Sequence, residues 1–146
     1  MAESAAASEL STRILLIEDD AQWSDPESGL LVGKLRRLAD LSIARTMEEA
    51  EALLAELGEQ AAEQPDGLLP GRIIAIVDGN LDPSRHDCAD GVGIIGRLAA
   101  MGVVDFIGFS GEPGGIQVDG VEVNNIGKAD AFSVAPAVRA LLAPQE

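Results

Sequence analysis

Cysteine is almost absent from this sequence, and long apolar runs are missing. The single cysteine, Cys88, excludes an internal disulfide framework and offers no pair of thiols to a structural zinc ion. No apolar run is long enough to cross a bilayer, and the first residues carry neither the basic leader nor the apolar segment of a secretion signal. We therefore expect a cytoplasmic protein without membrane contact, in a compartment where thiols stay reduced.

Basic residues are also scarce, since ten lysines and arginines stand against 25 acidic residues, for a formal net charge of −15. A phosphate backbone repels such a surface unless basic side chains gather on one face. The one local basic cluster, Lys34, Arg36 and Arg37, is too small for that purpose. We expect no nucleic-acid partner, whereas the same field favours basic protein surfaces and divalent cations.

The length of the chain limits it to one ordinary domain. With 146 residues, of which 47% are hydrophobic, the chain can bury one core but not two. We predict one domain over residues 13–143, preceded by a disordered arm at 1–12 and followed by a tail at 144–146. Strands are predicted where short apolar runs end in polar residues, at 13–17, 41–44, 73–77, 103–109 and 121–126.

Helical patterns separate these predicted strands. Pro26 suits the first turn of one helix, and Thr46 with Glu49 forms a capping box before the apolar stripe of the next. A polar connection is predicted at 58–71, Asp90 is the expected N-cap of a third helix, and a last helix is expected at 134–142. This alternation implies a doubly wound α/β fold with a five-stranded parallel sheet, whose ligands lie beyond the carboxyl ends of the strands.

Polar side chains stand at the ends of four of the five predicted strands. They are Glu18 and Asp19 after the first, Asp78 after the third, Ser110 after the fourth and Lys128 after the fifth. Three carboxylates crowded at one edge repel one another unless a cation neutralises them, and an all-oxygen site suits Mg²⁺. One carboxylate could then accept a phosphoryl group, while Lys128 and Ser110 bind the phosphoryl oxygens.

In the order of these motifs the chain resembles the receiver domains of two-component response regulators, over nearly all of residues 13–142. The motifs are ILLIEDD with Glu18 and Asp19, VDGNLDP with Asp78, the pair Asp90 and Gly91, FSG with Ser110, and IGK with Lys128. Each motif is weak alone, but each follows a successive predicted strand in the order that the family has.

The resemblance implies a flavodoxin-like strand order, 2-1-3-4-5, and a signalling switch rather than a metabolic enzyme. It implies phosphorylation of Asp78 by a histidine kinase or phosphotransfer protein, with a possible downstream effector protein. The metal ligands that it implies are Glu18, Asp19, Asp78 and the main-chain carbonyl of Asn80, and the catalytic set is Asp78, Lys128, Ser110 and Glu112. In the family, the residue at the position of Glu112 tunes hydrolysis of the phosphoryl group.

The sequence also departs from the family pattern. Ala129 follows Lys128 where the family usually has proline, and Asn125 takes the place of an aromatic switch residue. The short run GEPGGIQVDG before the fifth strand predicts a loop or small hairpin where the family has its fourth helix.

Two other interpretations of the sequence stay open. The departures favour a pseudo-receiver, which keeps the fold and the acidic edge but acts as a protein-interaction module without phosphorylation. A phosphohydrolase of the haloacid-dehalogenase type is suggested by VDGNLD, but that family needs paired aspartates at the end of the first strand, and here Asn80 stands in the partner position.

Overall fold

The computed structural model describes residues 12–81, 87–112 and 114–143. The strands are β1 (Thr12–Ile17), β2 (Asp40–Ala44), β3 (Arg72–Asp78), β4 (Asp105–Ser110) and β5 (Asn124–Gly127). The helices are α1 (Ala21–Ser24), α2 (Val32–Arg36), α3 (Met47–Ala62), α4 (Ala89–Ala100) and α5 (Val134–Leu142), and a 3-10 helix, Lys128–Ser133, joins β5 to α5. Residues 1–11 and 144–146 lie outside the described residues, and with them the predicted tail and all of the predicted arm at 1–12 except Thr12, which begins β1.

The five strands form one parallel sheet in the order β2-β1-β3-β4-β5, which confirms the predicted flavodoxin-like α/β fold. The order reverses between β1 and β3, where a doubly wound sheet opens a crevice for ligands. The register places Ile17 beside Val77, and Asp78 beside Phe109. The residues that follow β1 and β3 therefore emerge next to each other.

Both faces of the central strands are buried. Ile14, Leu16, Ile74 and Ile76 pack on the side of α2 and α5, and Leu15, Ile17, Ala75 and Val77 pack on the side of α3 and α4. This two-sided burial explains why β1 and β3 are continuous apolar runs rather than alternating ones. A fully buried aliphatic side chain of this kind contributes about 1.5–3 kcal/mol of stability relative to an exposed one. The packing of these side chains therefore fixes the positions of the strand ends.

The predicted start of the first helix is wrong. The chain forms α1 and α2 with a turn between them, and Pro26 lies in that turn. The carboxylate of Asp25 accepts hydrogen bonds from the amides of Glu27 and Ser28, which is the local bonding by which aspartate favours turns over helices. Gly29 then packs so closely on the Trp23 carbonyl that a Cβ would lie 2.5 Å from it.

The second predicted helix, which is α3 in the structure, is longer than predicted. The connection expected at 58–71 begins only after Ala62, because Leu54, Leu57 and Ala61 keep the helical spacing of buried residues past Gly58. The start of α3 agrees with the predicted capping box, since Thr46 Oγ1 accepts a hydrogen bond from the Glu49 amide at 3.0 Å. In the part of the chain that the structure describes, no helix is long and apolar enough to cross a membrane.

A clamped loop takes the place of a helix between β4 and β5, as predicted. Residues 111, 112 and 114–123 contain no helix, and Val118 and Val121 form an isolated antiparallel bridge. The Asn125 side chain accepts a hydrogen bond from the Ile116 amide at 2.9 Å and donates one to the Ile116 carbonyl at 3.0 Å. Because a Cβ at Gly108 or Gly115 would collide with the Asn125 side chain, both glycines make room for this clamp.

We expect Asn125→Ala to lower the free energy of unfolding by about 2 kcal/mol, because it leaves the amide and carbonyl of the fully buried Ile116 without partners. Urea denaturation measures the change. Asn124→Ala is the matched control, since Asn124 is the preceding residue on the same strand and is exposed, as Asn125 is. Equal stability of the two variants would show that the clamp contributes nothing.

Candidate functional site

Three carboxylates meet where the sheet order reverses. Glu18 follows β1 and is 0% exposed, Asp78 ends β3 and is 4% exposed, and Asp19 is partly exposed. The Glu18 amide donates to the Ala44 carbonyl at 3.0 Å, which extends the pairing of β1 with β2 beyond the strand. One carboxylate oxygen from each of the three residues lies within 4.8 Å of the others. The structure thus gathers the acidic residues that the strand-end pattern singled out.

Glu18 holds a proton far above the usual range of a carboxylic acid. Burial, and then the charge of Asp78, raise the pKa of Glu18 from 4.5 to about 8. The Asp20 amide donates to Glu18 Oε2 at 2.9 Å and opposes the shift, as does Lys128. Without a metal, Glu18 is therefore largely protonated at neutral pH.

Asp78 is shifted in the same direction but less far. Burial raises the pKa of Asp78 to about 6, and the charge of Lys128 limits that rise. Asp78 Oδ1 accepts a hydrogen bond from the Asn80 amide at 3.4 Å, and Oδ2 accepts one from Lys128 Nζ at 3.3 Å. Asp78 is therefore the better nucleophile of the two buried acids at neutral pH.

Lys128 is the cation of the site. Its Nζ lies 3.1 Å from Glu18 Oε1 and 3.3 Å from Asp78 Oδ2, and 5.5 Å from the centre of the Phe109 ring. Burial by itself would lower the pKa of Lys128, but Glu18 and Asp78 outweigh it and raise the pKa. The one tryptophan, Trp23, meets the same Phe109 ring edge-on, with centroids 5.6 Å apart, and so serves as a fluorescent reporter of this site.

The charges of the described residues do not balance at this site. Lys128 is the only cation that the structure places within 4 Å of Glu18 or Asp78 among the residues that it describes. Glu18 Oε1 is buried and accepts no hydrogen bond from these residues, although it lies 3.1 Å from Lys128 Nζ. Three carboxylates with a spare buried oxygen fit a hard divalent cation, which prefers oxygen ligands.

Ser110 and Asn80 lie close to the end of β3, and the Asn80 amide donates to Asp78. Ser110 ends β4, is 4% exposed, and accepts a hydrogen bond from the Glu112 amide at 3.0 Å. Its Oγ would lie 3.3 Å from a Cβ on Gly79, the residue after Asp78. Ser110, one of the predicted site residues, therefore lies next to Gly79, the first residue after β3. Glu112 contacts Ser110 through its main-chain amide.

The residues directly after β3 are hydrogen-bonded to the start of α4. The Gly91 amide donates to the Gly79 carbonyl at 2.8 Å, and the Leu81 amide donates to Asp90 Oδ2 at 2.9 Å. Asp90 was predicted as the N-cap of this helix, and that prediction is wrong, because Cys88 is the N-cap and gives no side-chain cap bond. The Asp90 carboxylate instead accepts the hydrogen bond from the Leu81 amide.

Cys88 belongs to this site, which the sequence did not indicate. It is 7% exposed, has a left-handed backbone with φ 59°, and its Sγ lies 3.7 Å from Ser110 Oγ. The Cys88 amide donates to Asn80 Oδ1 at 2.9 Å. No local signal could have found it, since cysteine is not a residue that favours the left-handed region.

Comparisons of this chain with protein-family models, with curated proteins and with solved structures found no match. The three acids Glu18, Asp19 and Asp78 could hold a metal ion. The two buried acids have raised pKa values, and Lys128 bridges them.

Proposed function

We propose that the chain is a phosphorylation switch of the response-regulator receiver type, in which Asp78 accepts a phosphoryl group with the help of Mg²⁺. The observation that carries the proposal is the cluster of Glu18, Asp19 and Asp78 bridged by Lys128 at the carboxyl ends of β1 and β3. This is the edge at which doubly wound sheets bind ligands. The fold and the order of the motifs along the chain both agree with that family.

The metal ligands would be Glu18, Asp19, Asp78 and the main-chain carbonyl of Asn80. The buried and unbonded Glu18 Oε1, and the approach of three carboxylate oxygens within 4.8 Å, support a small hard cation. When bound, Mg²⁺ supplies positive charge that offsets the carboxylates and the charge that develops on a transferring phosphoryl group. Binding would also release the proton that Glu18 holds in its absence.

In the transfer step, a carboxylate oxygen of Asp78 attacks the phosphorus of a phosphohistidine on a partner kinase or phosphotransfer protein. A phosphorus–oxygen bond to Asp78 forms as the phosphorus–nitrogen bond breaks, and the histidine nitrogen keeps the electron pair and takes a proton from solvent. A small acyl phosphate would react in the same way and leave as a carboxylate.

The neighbouring side chains would then bind the transferred group. Lys128 exchanges its ion pair with Asp78 for one with a phosphoryl oxygen, and the Ser110 hydroxyl donates to another. Water attack on phosphorus releases inorganic phosphate and restores the Asp78 carboxylate. Glu112, whose amide bonds to Ser110 Oγ, is placed to influence that hydrolysis.

The product is a signal rather than a metabolite, so the protein is a switch and not a metabolic enzyme. A downstream effector protein would read the phosphorylated surface, and no nucleic acid or membrane is needed for that output. The kinase that donates the group and the effector would both meet a strongly acidic chain, of formal net charge −15. Basic docking surfaces on these partners are favoured for that reason, and the cytoplasm is the compartment that we propose.

The test is intact-mass spectrometry after incubation with Mg²⁺ and acetyl phosphate. We expect a gain of one phosphoryl group in the parent chain, and no gain in Asp78→Asn or without Mg²⁺. Asp105→Asn is the matched control, because Asp105 lies at the opposite end of the neighbouring strand β4, where it pairs with Arg72. A gain that persists in Asp78→Asn would move the acceptor elsewhere.

A second candidate is a pseudo-receiver that binds a protein partner without phosphorylation. The observation that favours it is the Asn125 clamp, because a side chain held by two hydrogen bonds at 2.9 and 3.0 Å is not free to reorient as a switch residue must. The same mass experiment separates the two candidates. No mass gain in the parent chain, with Trp23 fluorescence also indifferent to Mg²⁺, would favour the pseudo-receiver.

A further inference from the structure

We infer that Cys88 is a positioning residue of this site, which holds the Ser110 hydroxyl and the Asn80 segment in the geometry that phosphoryl transfer needs. The inference depends on the proposed function and adds a residue that the receiver resemblance does not supply. Cys88 touches no reacting atom, because its contacts are with the residues that would bind the metal and the phosphoryl group. Its effect would therefore be exerted through Ser110 and Asn80.

Close packing is the first support. Cys88 Sγ lies 3.7 Å from Ser110 Oγ, and it would lie 2.6 Å from a Cβ on Gly79. Any side chain larger than glycine at position 79 would collide with the thiol. Cys88 thus fills the space between the residue after the acceptor and the hydroxyl of Ser110, and it limits the movement of both.

The backbone of Cys88 is the second support. It is the only non-glycine residue with positive φ among those that the structure describes, and this conformation is unfavourable for a side chain with a Cβ. Glycine or asparagine would adopt it at lower cost. A strained residue persists where the surroundings determine it, and here the Cys88 amide donates to Asn80 Oδ1 at 2.9 Å.

That hydrogen bond fixes the segment whose carbonyl would bind the metal. Asn80 Oδ1 bonds to the Cys88 amide, and Asn80 Nδ2 lies 4.0 Å from Cys88 Sγ. The Gly79 carbonyl is held by the Gly91 amide on one side of Asn80, and the Leu81 amide is held by Asp90 on the other. Hydrogen bonds therefore restrain the main chain on both sides of Asn80, and another restrains the Asn80 side chain.

The chemistry of the thiol suits its place beside Ser110. Ser110 Oγ already accepts from the Glu112 amide, so its O–H remains free to donate. A thiol sulfur is a weak acceptor, and a phosphoryl oxygen forms a stronger, charge-assisted bond with the same hydroxyl. The contact between thiol and hydroxyl is weak, and either group could be the donor in it, so it would give way readily to a bond between the hydroxyl and a phosphoryl oxygen.

The test compares the phosphorylation rates of the parent chain, Cys88→Ala, Cys88→Gly and Cys88→Ser with acetyl phosphate and saturating Mg²⁺, alongside their melting temperatures. We expect Cys88→Ala and Cys88→Gly to be phosphorylated about tenfold more slowly, at the lower end of what losing an outer-shell partner costs. Cys88→Gly should nevertheless melt at a higher temperature than Cys88→Ala, because glycine relieves the left-handed strain. Cys88→Ser keeps a small polar group and should regain most of the rate.

Each outcome of this comparison decides the question. A merely structural role would make the rate follow stability, so recovery of the parent rate in Cys88→Gly alone would overturn the inference. Parent rates in all three variants would also overturn it while leaving the proposed function intact. Failure of the parent chain itself to be phosphorylated would overturn the proposed function, and the inference with it. If Cys88→Ala does not fold, Cys88→Gly carries the test.

Discussion

Lys128→Met is expected to lower the free energy of unfolding by about 3 kcal/mol at pH 8 in the absence of metal, because it removes one partner of a buried ion cluster. Nζ of Lys128 lies 3.1 Å from Glu18 and 3.3 Å from Asp78, and both carboxyl groups are buried. Methionine is one atom shorter but keeps most of the apolar stem of the side chain, so the change in stability reports mainly the loss of the charge. Without the ammonium, the two acids must either repel each other or keep protons that solution at pH 8 would remove.

The loss from Lys128→Met should be much smaller at pH 5. Both acids are largely protonated there, since their pKa values are about 8 for Glu18 and about 6 for Asp78, and little negative charge is left to stabilise. Urea denaturation of parent and variant at the two pH values measures the difference. Lys34→Met is the matched control, because Lys34 is exposed and its Nζ lies over the Phe132 ring at 4.8 Å, away from the carboxylates.

Equal destabilisation of Lys128→Met at both pH values would contradict the electrostatic account. It would show that the packing of the lysine stem against neighbours such as Phe109, whose ring centre is 5.5 Å from Nζ, outweighs its charge. If Lys34→Met lowered the free energy of unfolding as much as Lys128→Met, any replacement of a lysine would have the same effect on stability.

The metal-free protein is expected to become less stable as the pH rises from about 4 to about 8, and Mg²⁺ is expected to reverse that trend. Glu18 has a folded pKa of about 8 against an ordinary 4.5, and Asp78 one of about 6 against 3.8. The folded state therefore binds protons that the unfolded state has lost. A raised folded pKa contributes stability that is complete below the ordinary value and disappears as the pH passes the folded value.

Glu18→Gln should remove most of this pH dependence above pH 6 and stabilise the metal-free protein at pH 8. The gain should be at least about 1.4 kcal/mol, the equivalent of one pKa unit, because glutamine keeps the shape without the buried charge. The parent chain should gain about 2.7 kcal/mol from Mg²⁺ at a hundredfold excess over its dissociation constant, and Glu18→Gln much less. Denaturation with urea across pH, with and without Mg²⁺, measures all of these changes.

Glu59→Gln is the control for this series, because Glu59 is exposed on α3 and the same substitution there should leave the pH profile unchanged. Stability of the metal-free parent that rises between pH 5 and 8 would contradict the raised pKa values. Stability of the parent that does not respond to Mg²⁺ would contradict the metal site, whatever the pH profile shows.

Local patterns were sufficient for the sheet and for the positions of the acidic residues. The runs before Glu18 and Asp78 are apolar throughout because both faces of β1 and β3 are buried, and such runs are readable without knowledge of the neighbours. A parallel sheet brings its carboxyl ends to one edge, so strand-end residues meet there. The meeting of Glu18, Asp78 and Lys128 follows from that rule.

The predictions of helix starts and ends are wrong where side chains compete with the backbone for hydrogen bonds, or where a helix depends on packing against distant residues. Asp25 favours a turn through its own hydrogen bonds, so the helix predicted to start near Pro26 begins only at Val32, as α2. Asp90 bonds to Leu81 across the loop rather than capping its own helix. Helix α3 continues past Gly58 because Ala61 in its last turn is buried, which outweighs the propensity of one glycine.

The sequence by itself determined the parallel sheet, its order through the family resemblance, and the placing of Glu18, Asp19, Asp78, Ser110 and Lys128 at strand ends. These features depend on hydrophobic periodicity and on the direction of strands, which are local properties. Only the tertiary structure decided that Glu18 is fully buried with an unbonded oxygen, that Asn125 clamps Ile116, and that Cys88 contacts Ser110. Burial and contact between residues distant in the chain arise from packing, and neither a residue's type nor its immediate neighbours encode them.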